Sequence, residues 1–591
     1  MIFKNVYLRP RSRFGETTFD NCITFMVDGE ENFRLIYQKM NEAKNSLYIA
    51  NYDLDPGLQL VRGDVSSRSF QITDLVASPC TSDSLSSSVI TSNLGSAKSS
   101  RNSGSYDNLY ISSDNTDNRK HHQQSDTLQN LLIRKAKQKV DIKIIVWEPK
   151  WIIRRLPGAK RRGLEGRRKK VDVVREAAKH FGIEDYLTIR LDSKAPTLTS
   201  GFHEKMIIID NQTAFCGGQD LSQGKWDTSD HDFDNILRDK CGEPWHDIQV
   251  MVKGPILWDL IYHFNQRWVY SIWKDIKQVK KIVKPSSIGA YLSSAASPIP
   301  SLFAALSSSD RGDTEITALR TWKQLNEKRS KNSNNSGYDL DYIVRDNTSI
   351  RAWYESMFRK ARDSIYIEDQ FLFQDRAITQ VLVNQLRKET NLKVITLGPM
   401  EPNLPGFVLS VISKESINDI NNNLAALRKA GKDRVRTYSL ISQHNIFNER
   451  RRQIYIHSKL MIVDDKWITV GSANTDRDGF EASTEFDLGI VSATLSPRLR
   501  VKLWREHLKT DSTDSFSSYL PSSTYNNNNT PINLYNFEEG FNAWEELAKE
   551  NGKRVRIRES IHGHVYYYNF EEMNCPPPYP QAKGGNRFRF F

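Results

Sequence analysis

Two eighteen-residue segments hold the side chains best suited to chemistry. HEKMIIIDNQTAFCGGQD runs from His203 to Asp220, and HSKLMIVDDKWITVGSAN runs from His457 to Asn474. They align without a gap at an offset of 254 residues: His203 meets His457, Lys205 meets Lys459, Asp210 meets Asp464, Gly217 meets Gly471, and Asp220 meets Asn474. One His-x-Lys alone says little. Two registered copies at half-chain separation mark a chain of two similar halves. Residues i and i+2 of a strand share a face, so each segment is expected to present an imidazole and an ammonium together. MIII and LMIV read as buried strands, and Asp210 and Asp464 fall at their ends, where a carboxylate takes turn hydrogen bonds. The small residues of GGQD and GSAN let the backbone approach a ligand closely.

Two such strands facing one another would surround one cavity with two histidines, two lysines and two polar side chains. That composition suits a phosphodiester. The lysines neutralise non-bridging oxygens and the charge that develops on them. One histidine can attack phosphorus to give a phosphohistidine, while the other protonates the leaving alkoxide and then deprotonates an incoming water or alcohol. No metal is required, because the lysines supply the charge. A zinc site does not fit, since lysine is not a ligand. The symmetry of the repeat does not say which histidine plays which part.

The elements around the motifs alternate. ENFRLIYQKMNEAKNS has helical periodicity and leads into a buried strand, LYIANYDLD (47–55). LQNLLIRKAKQKV is again helical and leads into DIKIIVWEP, so an α/β fold with a parallel or mixed sheet is expected. Residues 66–126 are Ser-rich and poor in aliphatics, and read as a disordered insertion; His121 and His122 at its end fit a solvated polar tract better than a metal site. The basic run 154–170 contains nine Lys or Arg and one Glu, and reads either as a solvated loop or as a patch for acidic lipids or nucleic acid. Residues 275–347 read as a linker with one strand near ITALRTW. The expected division is therefore an N-terminal half over 1–274, this linker, a C-terminal half over 348–510, a Ser/Asn-rich segment over 511–530, and an aromatic appendage over 531–591 that packs on the rest.

At 591 residues the chain exceeds one ordinary core, and 38% hydrophobic content excludes wholesale disorder. No apolar run is long enough for a membrane-crossing helix, and the first residues lack a secretory signal pattern. The formal charge of +12 favours anionic partners. Five scattered cysteines match no disulfide framework or zinc spacing, which points to a reducing compartment or to no use of bridges.

The doubled His-x-Lys-x(4)-Asp motif resembles that of the phospholipase D superfamily. GGQDLSQGKWD (217–227), PWHDIQVMVKGP (244–255), FNQRW (264–268), IYIEDQFLF (365–373), VDGEENF (27–33) and GHVYYYNFEEMNCPPP resemble blocks of the eukaryotic-type enzymes, with Lys225 and Asp369 as departures from the usual Arg and Asn. The resemblance covers most of the chain outside the low-complexity segments. It implies two α/β/α sandwich domains related by a pseudo-twofold axis, with the site at their interface. It also implies His203 as nucleophile, His457 as general acid, and Lys205, Lys459, Asn474 and Asp220 around the phosphate, although an anionic Asp220 would repel it. Asp210 and Asp464 count among the catalytic motif residues, more as support than as reacting groups. Asp234 and Glu485 are the acids expected to orient the histidines.

The activity this implies is hydrolysis of phosphatidylcholine-like lipids to phosphatidic acid and a free head group, with transfer to primary alcohols. A cardiolipin-synthase-like phosphatidyltransferase and a nucleic-acid phosphodiesterase are the competing enzymes. A scaffold role is disfavoured by the intact motifs. The partner expected is a phospholipid surface rather than nucleic acid, with 154–170 as a candidate acidic-lipid contact, and the location is cytoplasmic and peripheral to membrane. No cofactor is needed for the chemistry, and no motif decides a calcium or phosphoinositide requirement. No oligomer is needed to complete the site.

Overall fold

The computed structural model describes residues 17–63, 126–149, 166–193, 200–239, 242–279, 314–323, 347–400, 407–510, 532–569 and 571–578. The Ser-rich insertion up to residue 125, the basic run before Gly166, most of the linker, the 511–530 segment and the last residues lie outside them.

The N-terminal half contributes β1 (Thr17–Val27), β2 (Ser46–Asn51), β3 (Asp141–Trp147), β4 (Leu187–Asp192), β5 (Met206–Ile209), β6 (Thr213–Gly217), the short β7 (Trp245–His246) and β8 (Ile248–Lys253). The C-terminal half contributes β9 (Thr314–Trp322), β10 (Asn347–Thr348), β11 (Ser364–Glu368), β12 (Lys393–Leu397), β13 (Val435–Gln443), β14 (Arg451–Ile456), β15 (Leu460–Val463), β16 (Trp467–Gly471), β17 (Glu485–Val491) and β18 (Val565–Tyr567). Pairing gives the order β4-β3-β2-β5-β6-β8-β1 in the first sheet. In the second it is β13-β12-β11-β15-β16-β17-β9. The two orders correspond strand for strand. In each, three parallel strands are followed by antiparallel ones that carry the motif. β1 and β9, the equivalent edge strands, pair antiparallel through Thr17↔Thr317 and Thr18↔Ile316, so the halves share a seam.

This is the two-domain α/β architecture expected, with one change of boundary. The strand anticipated within the linker is β9, and its pairing places it in the second half's sheet rather than in a connection. Its only two charged residues, Glu315 and Arg320, are the two half-buried positions and the other seven are buried, which suits a strand covered on both faces.

The outer face of the first sheet is covered by helices Asp28–Glu42, Leu128–Lys137 and Gly166–His180, which bury Phe33, Ile36, Met40, Leu131, Leu132, Val171 and Val174 against Ile142, Ile144 and Ile207. Helices Ser349–Lys360, Arg376–Lys388 and Phe407–Gly431 do the same for the second sheet. Helix Arg376–Lys388 starts where the Asp375 carboxylate accepts from Ile378 N at 2.9 Å, satisfying one of the amides that every helix start leaves free. A third core joins the halves. It contains Met206 and Ile208 of β5, Leu460 and Ile462 of β15, and Leu260 and Phe264 of helix Leu257–Val279. The described part of the C-terminal segment packs here too: Phe541, Trp544 and Leu547 of helix Phe537–Ile557 are buried, and β18 pairs with β13.

Cys22 is disulfide-bonded, whereas Cys216 and Cys575 are free. The expectation that the cysteines form no bridge fails for Cys22. Sequence spacing reveals only frameworks with regular intervals, and a single bridge has none. Among the described residues no helix is long and apolar enough to cross a membrane.

Candidate active site

His203 and Lys205 stand just ahead of β5, and His457 and Lys459 just ahead of β15. The motif pairs are thus in extended chain at the mouth of each strand rather than inside it. Each is fastened to the opposite half: His203 N donates to Thr484 O at 2.9 Å, and His457 N donates to His246 O at 2.8 Å. The residue after each of those acceptors is an acid that holds the histidine. His203 Nδ1–H faces both Glu485 carboxylate oxygens at 3.1 Å and Ser472 O at 3.0 Å. His457 Nδ1–H donates to Asp247 Oδ2 at 2.7 Å. Ser472 O can only accept, so the proton of His203 lies on Nδ1 and the Nε2 lone pair is left for chemistry; the Asp247 carboxylate fixes His457 in the same way.

Glu485 is therefore where the sequence reading placed it, although it serves the histidine of the other half. Asp234 is not an orienting acid. Its side chain is 56% exposed and pairs with His444 and Arg452. The residue that sequence reasoning missed is Asp247, which comes 30 residues after Gly217 where Glu485 comes 14 after Gly471. The first copy is longer there, so the constant offset from Glu485 falls on His231 rather than on Asp247. A signal was present in PWHD, a block whose acid directly precedes a buried strand.

Lys205 Nζ turns back to His203 O at 2.7 Å, and Lys459 Nζ likewise reaches His457 O. Burial and then Lys205 and Lys459 hold His203 well below the ordinary imidazole range. Burial followed by Lys459, Lys225, Lys205 and His203 do the same to His457. The two motifs therefore feel one shared field. Burial also pushes Asp247 up to about 6 against the pull of Lys459, and raises Glu485 well above its usual value against Lys205. Lys225, noted in the sequence only as a replacement for arginine, lies in this site. Burial lowers it to about 8, partly offset by Asp220, Asp247 and Asp53.

Asp220 sits 3.7 Å from Lys205 Nζ and accepts from Asp53 N at 3.2 Å. It is engaged with the lysine rather than presented as a phosphate ligand, which corrects its expected place. Asn474 is buried at the equivalent turn, and its Oδ1 has no hydrogen-bond partner. Asp210 and Asp464 are not reacting groups. Asp210 accepts from the backbone amides of Lys44, Asn45 and Ser46, and Asp464 from those of Arg362, Asp363 and Ser364. Each ties the end of a motif strand to the start of the adjacent strand, β2 or β11, with which it pairs antiparallel.

Aromatic pairs wall both histidines. Tyr52 stacks on Trp147 at 4.6 Å and meets His203 edge-on at 4.9 Å. Trp245 stacks on Tyr455 at 4.7 Å and lies 4.8 Å from His457. Cations cover both: Arg167 lies over Tyr52 at 4.4 Å and Trp147 at 4.7 Å, and Lys225 over Trp245 at 3.3 Å. Arg167, Arg168 and Lys170 of the basic run pair with Asp53, with Glu148, and with Asp53 and Asp55. These three side chains are thus engaged by carboxylates of the protein itself.

Close approach makes two glycines necessary. A Cβ on Gly218 would lie 2.1 Å from Asp247 Oδ1, and one on Gly471 would lie 2.1 Å from Asp487 Oδ1. Gly218→Ala is expected to displace Asp247 and cost about 10²-fold in kcat, the scale of a 1 Å misplacement at a reacting centre, with steady-state turnover as the readout. Asp487 accepts from the backbone amides of Ser472 and Ala473, while its Oδ2 is buried without a partner, and burial pushes it up to about 8. A carboxyl raised on folding stabilises fully below its unfolded value near ~4 and loses that contribution as pH rises through its folded value. Asp487→Asn is therefore expected to flatten this slope. Its melting temperature should gain on the parent's as pH rises from about 4 to about 8 and level off above that.

Behind His457 lies a buried polar cluster. His246 Nδ1 is 2.9 Å from Asp28 and 3.1 Å from Glu506, and its Nε2 is 3.0 Å from Glu368. Burial alone would lower His246, but Glu368, Asp28 and Glu506 outweigh it and hold it well above its usual value. Asp28, His231, His246 and Glu506 bring one ligand atom each within 4.8 Å of one another. Imidazole and carboxylate donors of this kind can hold a divalent cation.

Residues 111–380 match the family described as phospholipase D, and residues 354–506 the one described as cardiolipin synthase, phospholipase D-like domain. Phospholipase D alpha 1 of Cynara cardunculus is 26% identical over 423 residues, covering 55% of this chain and 51% of its own length. Phospholipase D alpha 1 of Zea mays is 24% identical over 501 residues, covering 65% and 58%. The chain thus spans about half the length of these relatives. A phosphatidylserine synthase of Haemophilus influenzae superposes on 91% of this chain and 95% of its own, with TM-score 0.45 and 12% identity. The duplicated motif, the two matching sheets and these family matches together make the chain a member of the phospholipase D superfamily.

Proposed function

We propose that the protein cleaves the head group from glycerophospholipids of the phosphatidylcholine type, giving phosphatidic acid and a free alcohol, and that it transfers the phosphatidyl group to primary alcohols. The observation that supports this most is the crossed arrangement of two neutral histidines, each with Nδ1–H held by a buried carboxylate of the opposite half, beside Lys205 and Lys459.

His203 Nε2 attacks phosphorus and forms a P–N bond as the P–O bond to the head group breaks. His457, which takes up a proton from solvent at Nε2 as the diester binds, passes it to the departing oxygen. That proton is available because the bound diester offsets the lysine charges that otherwise depress His457. Water or an alcohol then attacks the phosphohistidine, gives its proton to His457, and releases His203. Lys205, Lys459 and Asn474 bind the non-bridging oxygens. The lipid bilayer surface is the proposed partner, met from outside.

The match of residues 354–506 to the cardiolipin synthase family supports a second reading, in which the acceptor is a lipid alcohol rather than water. The two share the covalent step and differ in what resolves it. Products from phosphatidylcholine vesicles with a primary alcohol decide between them. Phosphatidic acid plus phosphatidylalcohol, both lost in His203→Ala, is the expected result. Release of head group with neither product would overturn the hydrolytic reading, and transfer to an added lipid alcohol alone would favour the second.

A further inference from the structure

The largest exposed apolar side chains near the site come from two neighbouring loops. Ile236 is 94% exposed in the loop before β7, and Ile446 and Phe447 are 77% and 46% exposed in the loop between β13 and β14. The loops are fastened to each other. His444 Nε2–H donates to Asp234 at 2.9 Å, Phe233 lies 5.5 Å from the His444 ring, and Arg452 covers Phe233 at 3.9 Å. The amides of Ile446 and Phe447 both donate to His444 Nδ1, which fixes the tip that carries these side chains. The apolar groups therefore stand out from a built platform.

Both loops lead directly into the catalytic strands. β14 follows one and is followed by His457, β7 follows the other and is followed by Asp247, and the two pair in parallel through Tyr455↔Trp245 and Ile456↔His246. Glu243 interacts with Arg452 on the loop side and Lys225 on the site side, so the platform and the mouth share one surface. Its charges are largely matched: Asp234 with Arg452 and His444, Asp230 with Lys509, and Asp239 with Arg62.

We propose that this loop pair is a docking surface for a zwitterionic phospholipid bilayer, with Ile236, Ile446 and Phe447 entering the boundary between head groups and acyl chains. Separate apolar tips suit insertion into lipid better than a flat protein partner, and matched charge suits a surface without net charge. Arg450, which lies over Phe233 at 5.6 Å and Phe447 at 5.8 Å, is placed to meet a lipid phosphate. The inference rests on the lipid-cleaving reading of the same site, which it supplies with a route for substrate.

The test is co-sedimentation of the full chain with phosphatidylcholine vesicles at low and high salt. It compares the parent with I236S/I446S/F447S, whose fold is checked by circular dichroism. Parent binding should persist at high salt and fall about tenfold or more in the variant, given the apolar area withdrawn. Turnover of a short-chain phosphatidylcholine kept monomeric should stay within about twofold. Equal vesicle binding by parent and variant, binding abolished by salt, or no vesicle binding by the parent would each overturn it. Binding is read without turnover. A parent that binds through these loops but cleaves no lipid would sink the reaction and leave the docking surface standing.

Discussion

Asp247→Asn is expected to lower kcat by about 10³–10⁴-fold, the scale seen when the carboxylate behind a catalytic histidine is neutralised. Asp247 is fully buried, and its Oδ2 accepts from His457 Nδ1 at 2.7 Å. Asparagine keeps the shape but removes the charge that stabilises an imidazolium. It also allows the amide to face His457 and enforce the wrong tautomer. The loss should fall on kcat more than on KM, because the interaction matters when His457 carries a proton. Asp234→Asn, in contrast, should leave kcat within about twofold, since its side chain makes only surface pairs. A similar loss in both variants would mean that Asp247 acts only through folding, which a thermal melt on each would reveal.

Arg267→Met is expected to destabilise the protein by about 3–5 kcal/mol, the usual cost of stranding a buried charge. Arg267 donates to Asp192 at 2.8 Å and to Glu204 at 2.5 Å, and all three side chains are almost wholly buried. Glu204 lies between His203 and Lys205 and points to the opposite side of the chain. Its ion pair therefore anchors the first motif from behind. In the second motif Ser458 takes this place and donates to Glu368 at 2.6 Å, so the two halves solve one problem with different chemistry. The measurement is a denaturant midpoint. An unchanged midpoint would show that the pair contributes nothing beyond what methionine packing replaces.

The contrast between these residues explains what could be read in advance. His203, Lys205, His457 and Lys459 are legible because each motif is short, continuous and followed by four apolar residues that can only be a buried strand. The matching strand orders were foreshadowed by the same repeat. Asp247 was not legible from the repeat, because the longer connection after Gly217 breaks the constant offset. Asp234 misled because an acid shortly after a motif has no local feature that says whether it is buried. Glu243, Arg452 and His444 are only brought into one surface by the parallel pairing of β7 with β14, a contact between halves more than 200 residues apart. Asp210 and Asp464 are invariant parts of the repeat here, yet they bind backbone amides, so a shared motif position can mark shared folding rather than shared chemistry.

The most direct test of the central claim uses a lipid phosphodiester with a p-nitrophenol leaving group, which departs without protonation. His457→Ala should release one equivalent of nitrophenol and then stall, with the phosphatidyl group on the peptide that contains His203, because the general base for the second step is missing. Peptide mass spectrometry reads the position of the adduct. An adduct on another residue, or steady turnover of this ester by His203→Ala, would contradict a mechanism in which His203 is the nucleophile.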